Sequence, residues 1–454
     1  MSAKNVLYII LVLSLSLPLL HTQDQPPIDI KPTATGEIIL AVADVQPATP
    51  ENAGELSDAI QTFNQVLRDD LRFSGFFTIA AEGFYPPQPI VHPELDINYD
   101  DWDNMPFTVD YLATGTLRLT GEALRVEAKI YDMKLRKWSG IGQGYTAQLS
   151  DIRTIAHWWA DEIVYKLTAG ASRGIASTRI AYTSKRGNAK EIYLMDYDGH
   201  NALAFTRNGS INLFPSWSPD NSQLAFISFR TGKAEINIYS ITTGSRLPFQ
   251  MFNTQTSTPA ISPDGAEIAF ALRSTRPLGD PELYISKLDG SSRRRLTNNP
   301  AMDFAPTWSP NGRQIAFVSN RLGRGGQIYY CDIDGSNVQR ILKEGGDADS
   351  PSWSPDGRYI AFHWRPRQST NYDIFIATVG TDDIRQRTSN AGSNECPSWA
   401  PDGEHLAFES NRAGSKQIYI MKAFNDDDEP KMITRSGINT SPSWGGYFRR
   451  DTEN

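Results

Sequence analysis

The sequence predicts an N-terminal α/β domain followed by a six-bladed β-propeller, and three observations carry that expectation. A strand-like segment with a shared alanine recurs at Ala181, Ala225, Ala269, Ala316, Ala361 and Ala407, at spacings of 44, 44, 47, 45 and 46 residues. That period is the length of one four-stranded propeller blade. The array is uneven at its ends: the first copy has no Pro-x-Trp element before it, and a lone "PSW" at Pro442–Trp444 has no strand after it. Residues 30–170 lack the repeat and show helical spacing beside strand-like runs instead.

In chain order, Lys4 and the apolar run Val6–Leu20 come first, followed by polar His21–Asp24. This reads as a secretory signal peptide over residues 1–22, with an apolar stretch too short to span a bilayer; a retained membrane anchor is the competing reading. Residues 23–36, "QDQPPIDIKPTATG", hold three prolines and no helical period, which suits an extended segment.

The α/β domain is expected over residues 37–170. "EIILAVAD" at Glu37 reads as a buried strand, and Leu56, Ile60, Phe63, Val66, Leu67 and Leu71 mark one face of a helix. "FFTIA" at Phe76 is a second strand, and three more follow around Val109–Leu119, Ala123–Tyr131 and Lys137–Ala147. Ser150 reads as the cap of a second helix whose buried stripe is Ile152, Ile155, Trp159, Ile163 and Leu167. The proline-rich stretch from Glu82 to Met105 reads as a surface loop.

The propeller is expected over about residues 175–446, with a tail at 447–454. In each unit a turn such as "SPDG" joins two strands, Pro fixing φ and Gly accepting a left-handed conformation; Asn221 takes the glycine position in the second copy. A third alternating strand, a "DG" turn in several copies and a short fourth strand end the unit. An open array would need polar caps, whereas a ring lets the orphan C-terminal strand complete the first blade and remove two open edges. Trp217, Trp308, Trp353, Trp399 and Trp444 recur at one position, with Ile261 at the sixth. A ligand cage is one reading of them, but repetition at every blade favours packing between blades.

Composition bounds the chemistry. The chain has 454 residues, 39% hydrophobic and 21% charged, with a net charge of −8 that argues against a nucleic-acid partner. Cys331 and Cys396 read as two buried or idle thiols, a disulfide being open to them in an oxidising compartment. "GASRG" at Gly170 matches a nucleophile pattern around Ser172, but a helix precedes it and a strand follows, the reverse of what that motif requires. The six histidines form no metal-type pair in sequence, and nothing implies a cofactor, so no catalytic or metal site is expected.

One surface does stand out. The loops between second and third strands carry Lys185 and Arg186, Arg230 and Lys233, Arg273 and Arg276, Arg321 and Arg324, Arg365 and Arg367, and Arg412 and Lys416. Propeller geometry gathers these loops on one face as a basic collar, read either as ordinary solvated charge or as a surface that steers an acidic partner. The polar or acidic loops leading into each blade share that face, and Phe304 places an aromatic among them as a candidate anchor.

The leader, "DLRFSGFF" (Asp70–Phe77), "IAHWWADEIVYKLT" (Ile155–Thr168), "RIAYTS" at Arg179, "DYDG" (Asp196–Gly199) and the PxWSPDGxxIAF-type repeats, in that order, resemble the TolB family, periplasmic components of the Tol–Pal envelope system. The resemblance covers essentially the whole chain. It implies a periplasmic interaction protein, peripheral to the membrane through its partners, that supports outer-membrane integrity and envelope constriction in cell division. Two partners are implied: the peptidoglycan-associated lipoprotein Pal at the propeller face and the inner-membrane protein TolA at the mature N-terminus. Other outer-membrane proteins are further candidates. By position in the repeat, the Pal-facing candidates are Gln255, Thr256, Thr258 and Phe304, with Arg273 and Arg321 from the collar. Gln and Thr stand here where relatives often carry His and Ala. The TolA-facing candidates are Pro27, Ile28, Asp29, Ile30 and Lys31, in a segment able to add to a partner's sheet edge. A propeller-bearing hydrolase, or a small-ligand sensor acting at the channel mouth, is the alternative reading.

Overall fold

A computed structural model describes residues 38–447, apart from 251, 253–254, 274–279, 324 and 426–428. The expected leader, the segment Pro27–Lys31 and the tail from residue 448 lie outside the described residues. Among the described residues no helix is long and apolar enough to cross a membrane.

The N-terminal sheet runs in the order Phe77–Ile79, Ile38–Val42, Tyr111–Thr120, Ala123–Asp132, Lys137–Gln148, parallel through its first two pairings and antiparallel through the last two. Alternation along a strand sends Leu40 and Val42 to one face and Ala41 to the other. The first face meets the helices Ala53–Ser74 and Ile152–Leu167 through Leu56, Phe63, Leu71, Ile155, Trp159 and Ile163. The first helix ends at Gly75, whose φ of 76° supplies the left-handed cap.

Two expectations change here. The stretch from Glu82 to Met105 is not simply a surface loop: it holds the short helices Pro93–Asp96 and Tyr99–Asp103 and buries Ile90, Ile97 and Trp102. They cover Ala41, Leu112 and Tyr131, the second apolar face that the sheet's own alternation creates. Nor does Ser150 cap the second helix. A 3₁₀ turn, Leu149–Asp151, precedes it, and Gln148 and Asp151 make reciprocal capping bonds because the Asp151 carboxylate reaches back to the Gln148 N–H.

The propeller has six separate sheets around a common axis. Ile438–Trp444 pairs with Arg179–Arg186, so the end of the chain supplies the first strand of the first blade; Ser443 faces Ala181 and Trp444 faces Ile180. Among the described residues the second blade has three strands, with a Tyr239–Arg246 bridge in place of a fourth. Leu247 still donates to the Ile238 carbonyl, but Pro248 follows and has no N–H to extend the ladder.

The five tryptophans are buried and each packs on the preceding blade, Trp217 against Ala181 and Ile192, for instance. Three of them donate their indole N–H to the preceding blade's first strand: Trp217 to Ser443 O, Trp308 to Ala260 O and Trp399 to Ser352 O, at 2.9 to 3.0 Å. They are inter-blade wedges and not a ligand cage.

Candidate interaction face at the channel mouth

The innermost strands touch one another around the axis and open on the face that carries the 2–3 loops. Each carries a Pro before its final two residues, and proline cannot donate to the second strand. The ladder shifts register at that point in all six blades. The residue before the proline is left-handed each time: Phe214, Thr258, Ala305, Ser350, Cys396 and Ser441 have φ between 47° and 54°. A non-glycine residue in that region costs about 1–2 kcal/mol, so the mouth is a ring of local backbone strain held by the propeller around it. The ring is tied between blades. Ala305 N–H donates to its ring neighbour Thr258 Oγ1 at 3.0 Å, and Ser441 N–H donates at 2.6 Å to Glu409 Oε2 on the second strand of the preceding blade.

The expected collar divides, and four of its cations are tied into the fold. Arg321 reaches back to Asp303 at 3.2 Å, Arg365 to Asp347 at 3.4 Å, and Arg412 to Asn394 Oδ1 at 2.8 Å. Each guanidinium also lies over a tyrosine on or just ahead of the third strand, 4.6 Å from Tyr329, 4.7 Å from Tyr372 and 4.8 Å from Tyr419. Lys416 is bound to Glu409 at 2.5 Å and Glu395 at 3.0 Å. Lys185, Arg186, Arg230, Lys233, Arg273 and Arg367 are exposed, while Arg276 and Arg324 fall outside the described residues. Arg321, expected among the partner contacts, is therefore better placed as the counter-charge of a fully buried Asp303.

The other expected contacts divide. Gln255 is exposed. Thr256 is buried, and both its N–H and its hydroxyl donate to the Ala234 carbonyl, so it shapes the seam between blades two and three. Thr258 is half-buried, its hydroxyl accepting from Ala305. Phe304 is half-buried against the clusters on both sides of blade four.

Sequence reasoning missed the apolar residues that the mouth exposes: Ile211, Phe214, Met302, Leu322 and Ile438, between 38% and 58% exposed. All sit at the mouth ends of strands or in the connections there. Their signal was apolar side chains in the otherwise polar segments leading up to the strand prolines, or in the tight 2–3 turn of blade four.

The buried polar groups of the propeller and of the linker before it are held in structural contacts. Burial pulls the His363 imidazole down to about 3, and its Nδ1 accepts the Cys396 N–H at 3.1 Å, which places the ring hydrogen on Nε2. Burial pushes Asp349 up to about 6. Cys331 and Cys396 are free thiols, Cys331 pushed by burial to about 12 and Cys396 raised well above its ordinary value. Thiols held protonated this way are poor nucleophiles. Ser172 is buried, its hydroxyl accepting from the Gly174 N–H at 3.1 Å.

Against known proteins, the TolB amino-terminal domain family matches residues 26–137, and the TolB beta propeller domain family matches 165–371 and 331–447. The Tol-Pal system protein TolB of Bordetella pertussis is 31% identical over 320 residues, covering 69% of this chain and 68% of that protein. A TolB homolog from Chlorobium chlorochromatii is 31% identical over 263 residues, 56% of each chain. The crystal structure of TolB from Acinetobacter baumannii superposes with a TM-score of 0.75 at 24% identity, covering 91% of this chain and 97% of that one.

Proposed function

This chain belongs to the TolB family, and from that premise we propose that it is a non-enzymatic, periplasmic component of a Tol–Pal assembly that works by binding other proteins. The mouth of the propeller takes the lipoprotein Pal, and the segment around Pro27–Lys31 takes TolA. Together these contacts support outer-membrane integrity and envelope constriction during division.

One observation carries the Pal assignment: Ile211, Phe214, Met302, Leu322 and Ile438 set exposed apolar side chains around one rim. Apolar anchors with a polar surround are the anatomy of a protein interface. The strained ring beneath them fixes the rim before binding, so little ordering entropy is lost on association. The exposed cations Arg273 and Arg230 at the periphery suit a partner with an acidic margin.

The test is titration calorimetry of the mature chain with the soluble domain of Pal. The proposal expects one-to-one binding that Leu322→Asp and Met302→Asp weaken tenfold or more, with unchanged circular dichroism. Binding that neither substitution disturbs would overturn the mouth assignment. Removal of residues 23–36 is expected to abolish capture of TolA while leaving Pal affinity intact.

A further inference from the structure

At the seam between the N-terminal domain and the first blade, His157 is 3% exposed and its Nδ1 lies 2.7 Å from Asp70 Oδ2. The other Asp70 oxygen accepts from the Tyr197 hydroxyl at 2.7 Å. A carboxylate can only accept, so Nδ1 carries the ring hydrogen and the lone pair of the neutral imidazole sits on Nε2. That Nε2 is buried without a hydrogen-bond partner among the described residues, and it faces Asp198 Oδ2 at 4.0 Å. Asp196 stands beside them: one ligand atom from each of His157, Asp196 and Asp198 lies within 4.8 Å of the other two.

A histidine whose Nδ1–H is held by a second carboxylate while Nε2 faces acidic side chains has the orientation of a metal ligand. One nitrogen and two carboxylate oxygens suit a borderline divalent cation, Zn²⁺ first, whereas Ca²⁺ favours oxygen throughout. We propose that His157 Nε2, Asp196 and Asp198 form a Zn²⁺ site that joins the second helix of the N-terminal domain to the first blade. Sequence spacing gives no sign of it, because His157 lies on one domain and both aspartates on the other.

The resident competitor is Arg153. Its guanidinium contacts Asp198 Oδ2, yet its Nε has no partner among the described residues and the side chain borders a cavity of about 500 Å³ between the domains. Metal entry moves that guanidinium off the carboxylate and into the cavity. Arg179 and Asn201 already fix Asp196, and His200 Nδ1, 3.1 Å from Asp198 Oδ2 on an exposed side chain, is available as a further ligand in place of water. Bound from both sides, the ion would stiffen the domain seam, independently of what the mouth binds.

The test is Zn²⁺ titration of the tag-free chain lacking residues 1–22, by calorimetry and by thermal melting. The proposal expects one Zn²⁺ per chain and a melting temperature that rises with Zn²⁺. Asp196→Asn, half-buried and expected to fold, weakens binding tenfold or more; Asp70→Asn weakens it by about 10–100-fold through loss of the orienting carboxylate. Arg153→Gln tightens binding, because the competing cation is gone. The proposal is overturned by no binding at about 100 μM Zn²⁺, where a site with a micromolar Kd would be saturated. It is equally overturned by an affinity that Asp196→Asn and Arg153→Gln leave unchanged, which would mark an adventitious surface histidine.

Discussion

The side-chain amide of Asn221 donates to the carbonyl of Tyr447 at 2.8 Å, fastening the second blade to the residues just beyond the strand that completes the first. The same amide oxygen accepts from the Gly446 N–H at 2.8 Å. Asn221 stands where most other blades carry glycine, with a φ of 57°. Asn221→Gly removes any conformational penalty at that φ, yet it is expected to lower stability by about 1–2 kcal/mol, because two half-buried backbone groups lose their partner. Urea denaturation checks the sign: a stabilised variant would mean that backbone ease outweighs the clasp.

Arg321 and Arg273 belong to equivalent loops, and their variants should behave differently. Arg321→Ala leaves the fully buried Asp303 without its counter-charge and is expected to cost about 3 kcal/mol. Arg273→Ala, on an exposed side chain, should change stability by no more than about 0.5 kcal/mol. Equal small effects would restore the collar as ordinary surface charge.

The ring was legible because closure leaves a signature at both ends of a repeat, a first copy without its Pro-x-Trp strand and a final "PSW" without a successor. The tryptophan wedges were legible because they recur in register. The fate of the collar was not. A sequence shows where Arg321, Arg365 and Arg412 stand but not that each folds back over a tyrosine on or just ahead of the next strand. The Asp70–His157–Asp198 seam was also invisible, since its members meet only when the two domains dock. The burial of Ile90, Ile97 and Trp102 follows no helical or strand period and emerges only once the sheet presents a second apolar face.

His363 makes stability depend on pH. Burial holds its folded-state value at about 3, below the ordinary 6.5, so the unfolded chain binds the extra proton between those limits. Stability from this group is complete above pH 6.5 and falls as pH drops toward 3. Between pH 7.5 and 4.5 the loss should be about 2.5 kcal/mol. His363→Asn, whose amide oxygen can still accept the Cys396 N–H, should lack that component in parallel urea titrations. An identical pH dependence in both proteins would show that His363 does not titrate as described.

Trp217→Phe keeps the wedge between blades one and two but deletes the bond to Ser443. The expected cost is about 0.5–1.5 kcal/mol, read as a lower thermal midpoint with an unchanged circular dichroism spectrum. A loss of folded signal would mean that the indole fills space no phenyl ring can.

Hydrogen–deuterium exchange of the mature chain, with and without the soluble domain of Pal, asks most directly whether the mouth is the binding face. Slowed exchange in 208–214, 255–258, 300–305 and 320–323, with the outer strands unaffected, is the predicted result. Protection confined to the outer strands or to the N-terminal sheet, with none at the mouth, would contradict it.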